Sequence, residues 1–526
     1  MTRPSGTPRF LLCCLALTAC DPAEPAASAQ IQGRIVVRFD EPRHPISPML
    51  FGHNLQWTHG GDGLLERGEP DAKFHPEVIS NARSIGVTSM RFPGGALANT
   101  YRWTAGIGER GSRPPGLDFV GKEMPSRFGT DEFVRLSGIL GCPGVITVNL
   151  SAGAKEAADW VEYVNGDEQT PWGRKRIANG NARPMGVIYW EIGNELYSPK
   201  EHGHLSAEAY GRKVIAFAEA MKARDPSIKI GAHLEASFQK AAWIKSKHPH
   251  FLTWNAQVLN VAGRHLDFVA LHFYAPFDKI RNEEHLHRLV WAGPLVFEQT
   301  VRDIKKRCKE VGADDLEIAV TEYGTFFGGR RKPDDRIATT ENGLFNALML
   351  FAFMRDPQIR LANHWSLLNN GSFGLLETQP RFSRRPAAAI FDQLGALANH
   401  RVLPLVIDVA GYAVKAKGNI PRFSSVKFLD GVAAERTDGS IKLAVVNRSP
   451  RRSILTELKF EGAEAPDRLT VRSLRPTDDH GQAWRTGETW LTAIDPGVFS
   501  VRLPPYSLTL LSGRRSGGKL QIPNDK

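Results

Sequence analysis

Two glutamates in this chain each follow a short apolar run of the kind that forms a buried strand. Glu195 lies near the end of WEIGNEL, after the run 185–189, and Glu322 lies in TEYG, after the run 316–320. Both patterns predict an acid at the C-terminal tip of a strand. Cleavage of a glycosidic bond requires two carboxyl groups, one protonated to donate to the leaving oxygen and one ionised to meet the developing positive charge. Glu195 and Glu322 are therefore the candidate catalytic pair.

A repeated strand and helix pattern must position these acids. Amphipathic segments such as 207–224 and 298–311 lie between several of the predicted strands. Eight βα units in succession are typical of an α/β fold, the (β/α)8 TIM barrel, whose chemistry lies at the C-terminal ends of its strands. Glu195 then follows the fourth strand and Glu322 the seventh. The eight candidate strands are 49–51, 87–91, 145–149, 187–190, 228–232, 268–271, 318–320 and 361–368.

A second domain follows the barrel. After about Pro386, alternating apolar segments separated by turn residues predict a C-terminal β-sandwich. We expect residues 31–45 to contribute an N-terminal strand to this sandwich and the last residues to be a disordered tail. The predicted domain boundaries are 46–386 for the barrel, 387–513 for the sandwich and 514–526 for the tail.

The N-terminus has the pattern of an export signal. Arg3 and Arg9 flank a short basic region, and the apolar stretch 10–19 is too short to span a bilayer. The sequence Leu-Thr-Ala-Cys that ends at Cys20 resembles a bacterial lipobox, whose cysteine carries the lipid anchor. We therefore expect a lipoprotein-type signal peptide at 1–20, a flexible tether at 21–30, and location at the periplasmic or cell-surface face of the bacterial envelope. Ordinary secretion, with cleavage after Ala19 or further on, is the alternative.

Composition bounds the class of protein. The 526 residues include 42% apolar and 23% charged residues, which is ordinary for a soluble globular chain. The net charge of +11 comes without long Lys/Arg runs, so nucleic acid is not an expected partner and contact with a membrane is expected only through the lipid anchor. Cys142 and Cys308 are the two cysteines beyond the signal, which gives no disulfide framework and no zinc pattern. No cofactor or metal is expected, since no P-loop or dinucleotide fingerprint occurs in a usable context.

A series of short motifs, in one order along the barrel, resembles glycoside hydrolase family 51, the α-L-arabinofuranosidase family of clan A. Each motif alone is weak, because an Asn-Glu pair after a strand is widespread in this clan, but their collinear order is specific and includes Glu195. The matching segments are ISPMLFGH at 46–53, RFPGG at 91–95, YRW at 101–103, GIG at 106–108, FGTDEF at 128–133, VNL at 148–150, WVEY at 160–163, WEIGNE at 190–195 and HFY at 272–274.

The resemblance implies a retaining, exo-acting α-L-arabinofuranosidase that acts on plant-type polysaccharides or oligosaccharides. Glu195 would be the general acid/base and Glu322 the nucleophile, with carboxyl groups about 5–5.5 Å apart. Arg91 would supply the positive charge that keeps Glu322 ionised, and Tyr274 would donate a hydrogen bond to it. Asn194 would hold the 2-hydroxyl group of the sugar. The oligomeric state is left open.

The sugar pocket departs from the family pattern. Gln56 stands where the family usually has a sugar-binding glutamate, and it remains a candidate substrate-binding residue because its uncharged side chain can still hydrogen-bond. Ala96 stands where the family has an asparagine, and Ser366 where it has a glutamine. Trp103 and Trp365 are candidate sugar platforms, with core packing as the alternative. Since the catalytic residues match while the pocket differs, another clan A specificity (xylosidase, glucuronidase or endo-β-glucanase) remains an alternative, as does a non-catalytic surface protein that binds carbohydrate.

Overall fold

The structure, a computed structural model, describes most of the chain from residue 32 to residue 515. The described ranges are 32–41, 44–66, 73–278, 282–326, 335–369, 373–378, 382–462, 465–477, 481 and 483–515. The predicted signal peptide, the tether and the anchor Cys20 therefore lie outside the described residues. Within those ranges, no helix has the length and apolar content needed to cross a membrane.

Eight parallel strands close into a barrel, which confirms the predicted fold class. An N-terminal strand, β1 (Gln32–Arg38), precedes the barrel, and a two-stranded hairpin, β4 (Gly116–Leu117) with β5 (Glu123–Met124), projects from the loop after its second strand. The barrel strands are β2 (Gly52–Asn54), β3 (Met90–Phe92), β6 (Gly144–Val148), β7 (Tyr189–Ile192), β8 (Lys229–Glu235), β9 (Phe268–Pro276), β10 (Glu317–Phe326) and β11 (Ile359–His364). These strands pair in the cyclic order β10-β11-β2-β3-β6-β7-β8-β9.

The first barrel strand begins later than the sequence predicts. Pro48–Phe51 forms a 3-10 turn, and the strand follows it at Gly52–Asn54. Ser47 caps this turn by accepting a hydrogen bond from the Met49 amide, and Pro48 occupies its first position. Since a serine cap and a proline at the first position both favour a helical turn, the prediction of a strand at 49–51 is wrong.

Helices cover the outside of the barrel. α6 shows why they form where they do: Ser206 caps its first turn, and its buried residues recur at the three- and four-residue spacing of one helix face. The Tyr210 hydroxyl on this face donates to the Ile192 carbonyl and accepts from the His233 amide, so the helix links the ends of β7 and β8. The helices are α1 (Thr58–Asp62), α2 (Pro76–Ile85), α3 (Thr130–Leu140), α4 (Ala154–Asn165), α5 (Pro171–Ala178), α6 (Ala207–Lys222), α7 (Ile244–Lys247), α8 (His250–Ala262), α9 (Glu283–Glu310), α10 (Thr340–Arg355) and α11 (Pro386–Gly395).

Two packed sheets follow the barrel. One has the order β13-β1-β18-β21 and the other β12-β16-β17-β22-β19-β20, with a shared apolar core between them. β1 pairs parallel with β18 and antiparallel with β13, so the N-terminal strand is part of this sandwich. Arg514, at the start of the predicted tail, ends β22. The strands are β12 (Arg401–Leu403), β13 (Leu405–Val409), β14 (Gly411–Val414), β15 (Phe423–Lys427), β16 (Leu429–Glu435), β17 (Ser440–Asn447), β18 (Ile454–Glu461), β19 (Arg468–Pro476), β20 (Trp484–Thr492), β21 (Val498–Leu503) and β22 (Ser507–Arg514).

Candidate active site

The barrel brings Glu195 and Glu322 to one pocket at the C-terminal ends of its strands. His272, on β9, contacts both acids: its Nδ1 lies 2.8 Å from Glu195 Oε1 and 3.7 Å from Glu322 Oε2. One carboxylate oxygen of each glutamate and a ring nitrogen of His272 all lie within 4.8 Å of one another. This spacing fits the short carboxyl separation of retaining glycosidases, since inverting enzymes keep their carboxyl groups about 6.5–9.5 Å apart to admit a water molecule.

Glu322 is aimed by its strand and held at both oxygens. The pairing of β10 with β9 shifts register between Val320 and Glu322, an irregularity of the kind that redirects a side chain near an active site. Arg91 Nη1 donates to Glu322 Oε1 at 3.0 Å, and the Tyr274 hydroxyl donates to Oε2 at 2.8 Å. With a side chain only 8% exposed, Glu322 is fixed in a single orientation with a positive charge beside it.

Arg91 links the nucleophile position to two further groups. Its Nε donates to Glu191 Oε2 at 2.6 Å, and its Nη2 donates to Asn194 Oδ1 at 3.0 Å. Glu191 is fully buried, and burial alone would raise its pKa, but the charges of Arg91 and His233 hold that pKa well below its usual range. Glu191 is thus an ionised acid of the barrel interior. The guanidinium of Arg91 donates hydrogen bonds to Glu191, Glu322 and Asn194 at the same time.

The surroundings of Glu195 suit a proton donor. Enclosure in the pocket raises its pKa, and smaller effects from His233, the Tyr197 hydroxyl and Arg91 oppose the rise. Its side chain is still 27% exposed, so a substrate can reach it. Burial lowers the pKa of His272 to about 3, which makes this ring a neutral hydrogen-bond partner of Glu195 at ordinary pH.

The backbone of Glu195 is unusual. Its φ is 49°, a left-handed conformation that a residue with a side chain adopts at some cost. The turn is secured on either side: the Gly193 amide donates to the Val148 carbonyl, and the Ser198 amide donates to the Glu195 carbonyl. Strained conformations of this kind concentrate at functional sites, where the surrounding structure maintains them.

Trp365 and Gln56 line the pocket beside the RFPGG segment. A Cβ atom added at Gly95 would lie 2.8 Å from Glu322 Oε1 and 3.2 Å from Trp365 Cη2, so glycine is needed for this approach. A Cβ atom added at Gly94 would lie 3.0 Å from Gln56 Cγ. Trp365 is therefore close enough to Glu322, one of the candidate catalytic acids, to contact a bound sugar, and Gln56 packs against Gly94 of the same segment.

Trp103 does not lie in the pocket, and the expectation that it is a sugar platform is wrong. It is 1% exposed and packs against Trp160, Tyr163 and Trp172. Its Nε1 donates to the Glu156 carbonyl at 2.9 Å. The indole therefore has neither a free face nor a free donor for a sugar, and it serves as packing between the loop after β3 and helices α4 and α5.

Sequence reasoning missed several groups around the acids. His272 begins the HFY segment at 272–274. Because it lies two residues before Tyr274 on a strand, it could have been placed on the same face of the strand as Tyr274. Asn99 ends a 3-10 turn, whereas Tyr197 and Glu201 lie in the turns after β7, and no spacing rule predicts that these residues meet near Glu195. Ser366 contributes no polar group to the pocket, since its fully buried hydroxyl donates to the Leu368 carbonyl.

Among the residues that the structure describes, two groups of side chains have the spacing of metal ligands. One is Glu191, His233 and His272, and the other is Glu195, His272 and Glu322. In each group, a carboxylate already accepts a hydrogen bond from Arg91, whose positive charge opposes a cation at that place. These residues fit acid–base and nucleophilic chemistry better than metal binding.

Comparison with known proteins finds arabinofuranosidases among the relatives of this chain. A family model described as "Alpha-L-arabinofuranosidase 1 domain" matches residues 81–287. The chain is 33% identical over 301 residues to an intracellular exo-α-(1→5)-L-arabinofuranosidase of Bifidobacterium longum, covering 54% of this chain and 51% of that protein. It is 26% identical over 529 residues to an exo-α-(1→6)-L-arabinofuranosidase of the same organism, covering 91% of this chain and 96% of that protein. The chain thus spans about half the length of the first relative and nearly all of the second.

Solved structures show the same architecture. An α-L-arabinofuranosidase of Thermotoga maritima in complex with arabinose superposes with a TM-score of 0.79 at 24% identity, covering 92% of this chain and 100% of that one. A thermostable GH51 α-L-arabinofuranosidase of Thermotoga petrophila gives 0.79 at 24% identity, covering 91% and 100%. Together with the family model and the sequence relatives, these structures show that the chain is similar to α-L-arabinofuranosidases, among them an enzyme of glycoside hydrolase family 51.

Proposed function

We propose that the protein is a retaining, exo-acting α-L-arabinofuranosidase on plant-type polysaccharides or oligosaccharides. The observation that carries the proposal is the short separation of two carboxyl groups in one pocket, one fixed by Arg91 and Tyr274 and the other beside the neutral His272. The names of the two Bifidobacterium longum relatives, both exo-acting arabinofuranosidases, support the choice of an arabinofuranosyl group and of exo action.

In the first step, Glu322 attacks the anomeric carbon while Glu195 gives its proton to the glycosidic oxygen. The bond from the anomeric carbon to the leaving oxygen breaks, the aglycone leaves as an alcohol, and a covalent ester joins the sugar to Glu322. Arg91 and Tyr274 hold the two oxygens of Glu322, so that one faces the sugar in a fixed direction. Asn194, fixed by Arg91, bonds the 2-hydroxyl group, a contact that tightens in the transition state.

In the second step, Glu195 acts as a base. Once Glu322 is esterified, its negative charge has gone, and Glu195 accepts a proton from water as the water attacks the anomeric carbon. The ester bond breaks, Glu322 is released as a carboxylate, and the sugar leaves with its original anomeric configuration.

A panel of 4-nitrophenyl glycosides tests the sugar specificity. We expect the α-L-arabinofuranoside to be hydrolysed fastest, with retention of configuration in the first product seen by proton NMR. Because Gln56, Ala96 and Ser366 differ from the family pattern, xylosides, glucuronides and β-glucan oligosaccharides belong in the panel. Hydrolysis of one of these without hydrolysis of the arabinofuranoside would overturn the proposed specificity and leave the retaining mechanism in place.

Glu322→Ala separates the enzyme from a carbohydrate-binding protein without catalysis. We expect the wild type to hydrolyse a substrate and Glu322→Ala to lose that activity while it remains folded by circular dichroism. If the wild type binds glycans but hydrolyses none, and if Glu322→Ala binds them equally well, the protein has the carbohydrate-binding role instead.

We further propose that the protein is exported and anchored to the bacterial envelope through a lipid on Cys20. The basic and apolar pattern of the first residues and the Leu-Thr-Ala-Cys sequence support this location. The wild type should enter the detergent phase on phase separation in a mild detergent, and Cys20→Ser should enter the aqueous phase. A wild type found in the aqueous phase, with its N-terminus cleaved elsewhere, would favour ordinary secretion.

A further inference from the structure

A third acid, Glu201, lies beside the candidate catalytic pair. Its Oε2 accepts a hydrogen bond from Asn99 Nδ2 at 2.9 Å, and the same Nδ2 donates to the Asn194 carbonyl. Glu201 is half-buried. The charges of Glu195 and Glu322 act on its carboxyl group. Glu201 is therefore a third carboxyl group next to the segment that carries Glu195, and the proposed mechanism uses only Glu195 and Glu322.

The chain holds Glu201 in place through Asn99 and a series of turns. Asn99 is 1% exposed, and its Nδ2 donates both to Glu201 Oε2 and to the Asn194 carbonyl, each at 2.9 Å. Its Oδ1 accepts from the Asn194 amide at 2.9 Å. The Glu201 amide donates to the Ser198 carbonyl, and the Glu201 carbonyl accepts from the His204 amide. Glu201 is thus fixed relative to Asn194, which immediately precedes the acid/base.

This position is electrostatically unfavourable for a carboxylate. Burial raises the pKa of Glu201 to about 8, and the neighbouring charges of Glu195 and Glu322 add to the rise, while the Asn99 and Asn194 amides oppose it. Glu201 therefore carries a proton at neutral pH and can both donate and accept a hydrogen bond. An acid kept in such surroundings costs folding free energy, and groups of this kind concentrate at functional sites.

Three positions that would bind the sugar in the family pattern differ in this chain. Gln56 and Ala96 replace polar or charged residues of the family pattern, and the Ser366 hydroxyl is used within its own loop. Asn194 Oδ1 accepts from Arg91, which leaves its side-chain N–H groups to donate to a sugar hydroxyl. Glu201 is linked through the Asn99 amide to the Asn194 carbonyl, so its carboxyl group lies beside the residue expected to hold the sugar.

We propose that Glu201 is a specificity-determining residue that hydrogen-bonds a ring hydroxyl group of the sugar held at Asn194. Its carboxyl group supplies, from the loop after β7, a polar contact with the sugar that the methyl side chain of Ala96 cannot make. The ligand class is a neutral pentofuranosyl group with a free hydroxyl next to the reacting carbon. This inference rests on the proposed function, because it assigns Glu201 to the same pocket.

The test compares Glu201→Ala and Glu201→Gln with wild type on 4-nitrophenyl α-L-arabinofuranoside, with free L-arabinose as a competitive inhibitor. We expect Glu201→Ala to raise KM and the inhibition constant together by about tenfold or more, because a sugar hydroxyl loses its partner. Glu201→Gln keeps an acceptor and a donor, so it should restore both constants to within about threefold of wild type. Glu208→Ala, at an exposed site on α6, is the matched control and should change neither.

Two results would overturn the proposal. One is a Glu201→Ala protein with unchanged KM and inhibition constant. The other is a fall in melting temperature and kcat in both Glu201 variants without a change in sugar binding, since that result would assign Glu201 a purely structural role. The wild type tests the proposed function separately. If the wild type does not hydrolyse the arabinofuranoside, the proposed sugar is wrong, whatever the Glu201 variants show.

Discussion

Arg91 Nη1 donates a hydrogen bond to Glu322 Oε1 across 3.0 Å, which joins the second barrel strand to the seventh at the centre of the pocket. The same guanidinium bonds Glu191 and Asn194, so one side chain fixes both the candidate nucleophile and the group expected to hold the 2-hydroxyl. The positive charge of Arg91 is buried together with the negative charge of Glu191. The three hydrogen bonds of Arg91 depend on the planar, fork-shaped guanidinium group.

Arg91→Lys should lose activity even though it keeps the positive charge. A lysine cannot donate in the three directions that Glu191, Glu322 and Asn194 require, so we expect kcat/KM to fall on the order of 10²–10³-fold. Arg91→Ala would leave Glu191 as an unpaired buried charge and should lower the free energy of unfolding by about 3–5 kcal/mol in urea titrations. Arg212→Ala, on the exposed face of α6, should change neither measurement. Activity near wild type in Arg91→Lys would contradict this role.

The pH profile should report the raised pKa of Glu195. The enzyme needs this acid protonated, so activity falls as pH rises through its pKa, and the alkaline limb of kcat/KM should lie above the ordinary range of a glutamate. The Tyr197 hydroxyl lowers this pKa, hence Tyr197→Phe should raise it and move the alkaline limb to higher pH. A shift to lower pH in Tyr197→Phe would contradict the assigned direction.

Much of this pocket follows from strand positions. Glu195 and Glu322 were predictable, because a barrel brings the ends of its strands to one face, and Tyr274 and Arg91 follow from the same rule. Trp103 was not predictable, since an aromatic residue in a loop packs into the core or lines a pocket according to the path of that loop. The contacts of Asn99 with Asn194 and Glu201 depend on two loops that are distant in sequence, and no local pattern encodes their approach.

Glu195→Ala should respond to an external nucleophile. The variant lacks the base that activates water, so the glycosyl ester on Glu322 should accumulate with an aryl substrate whose leaving group needs no proton. Added azide needs no base, and we expect it to raise turnover and to give the glycosyl azide with the anomeric configuration of the substrate. Release of 4-nitrophenol measures the rate, and NMR identifies the product. Glu191→Gln, which changes the acid on β7 four residues before Glu195, should show no such rescue by azide.

The two tryptophans should separate stability from substrate binding. Trp103→Ala removes a buried ring from an aromatic cluster and should cost about 3–5 kcal/mol of unfolding free energy, with KM unchanged for the folded fraction. Trp365→Ala removes a ring beside Glu322 and should raise KM roughly two- to tenfold, the range expected for one aromatic contact. If Trp103→Ala changed KM and Trp365→Ala did not, Trp103 and not Trp365 would contact the sugar.

Glu322 should form a covalent bond to the sugar during the reaction. Glu195→Ala, mixed with 2,4-dinitrophenyl α-L-arabinofuranoside and quenched in acid, should gain the mass of one pentosyl residue. Peptide mapping by mass spectrometry should place that addition on Glu322. No addition at any quench time, or an addition on another residue such as Glu201, would contradict the assignment.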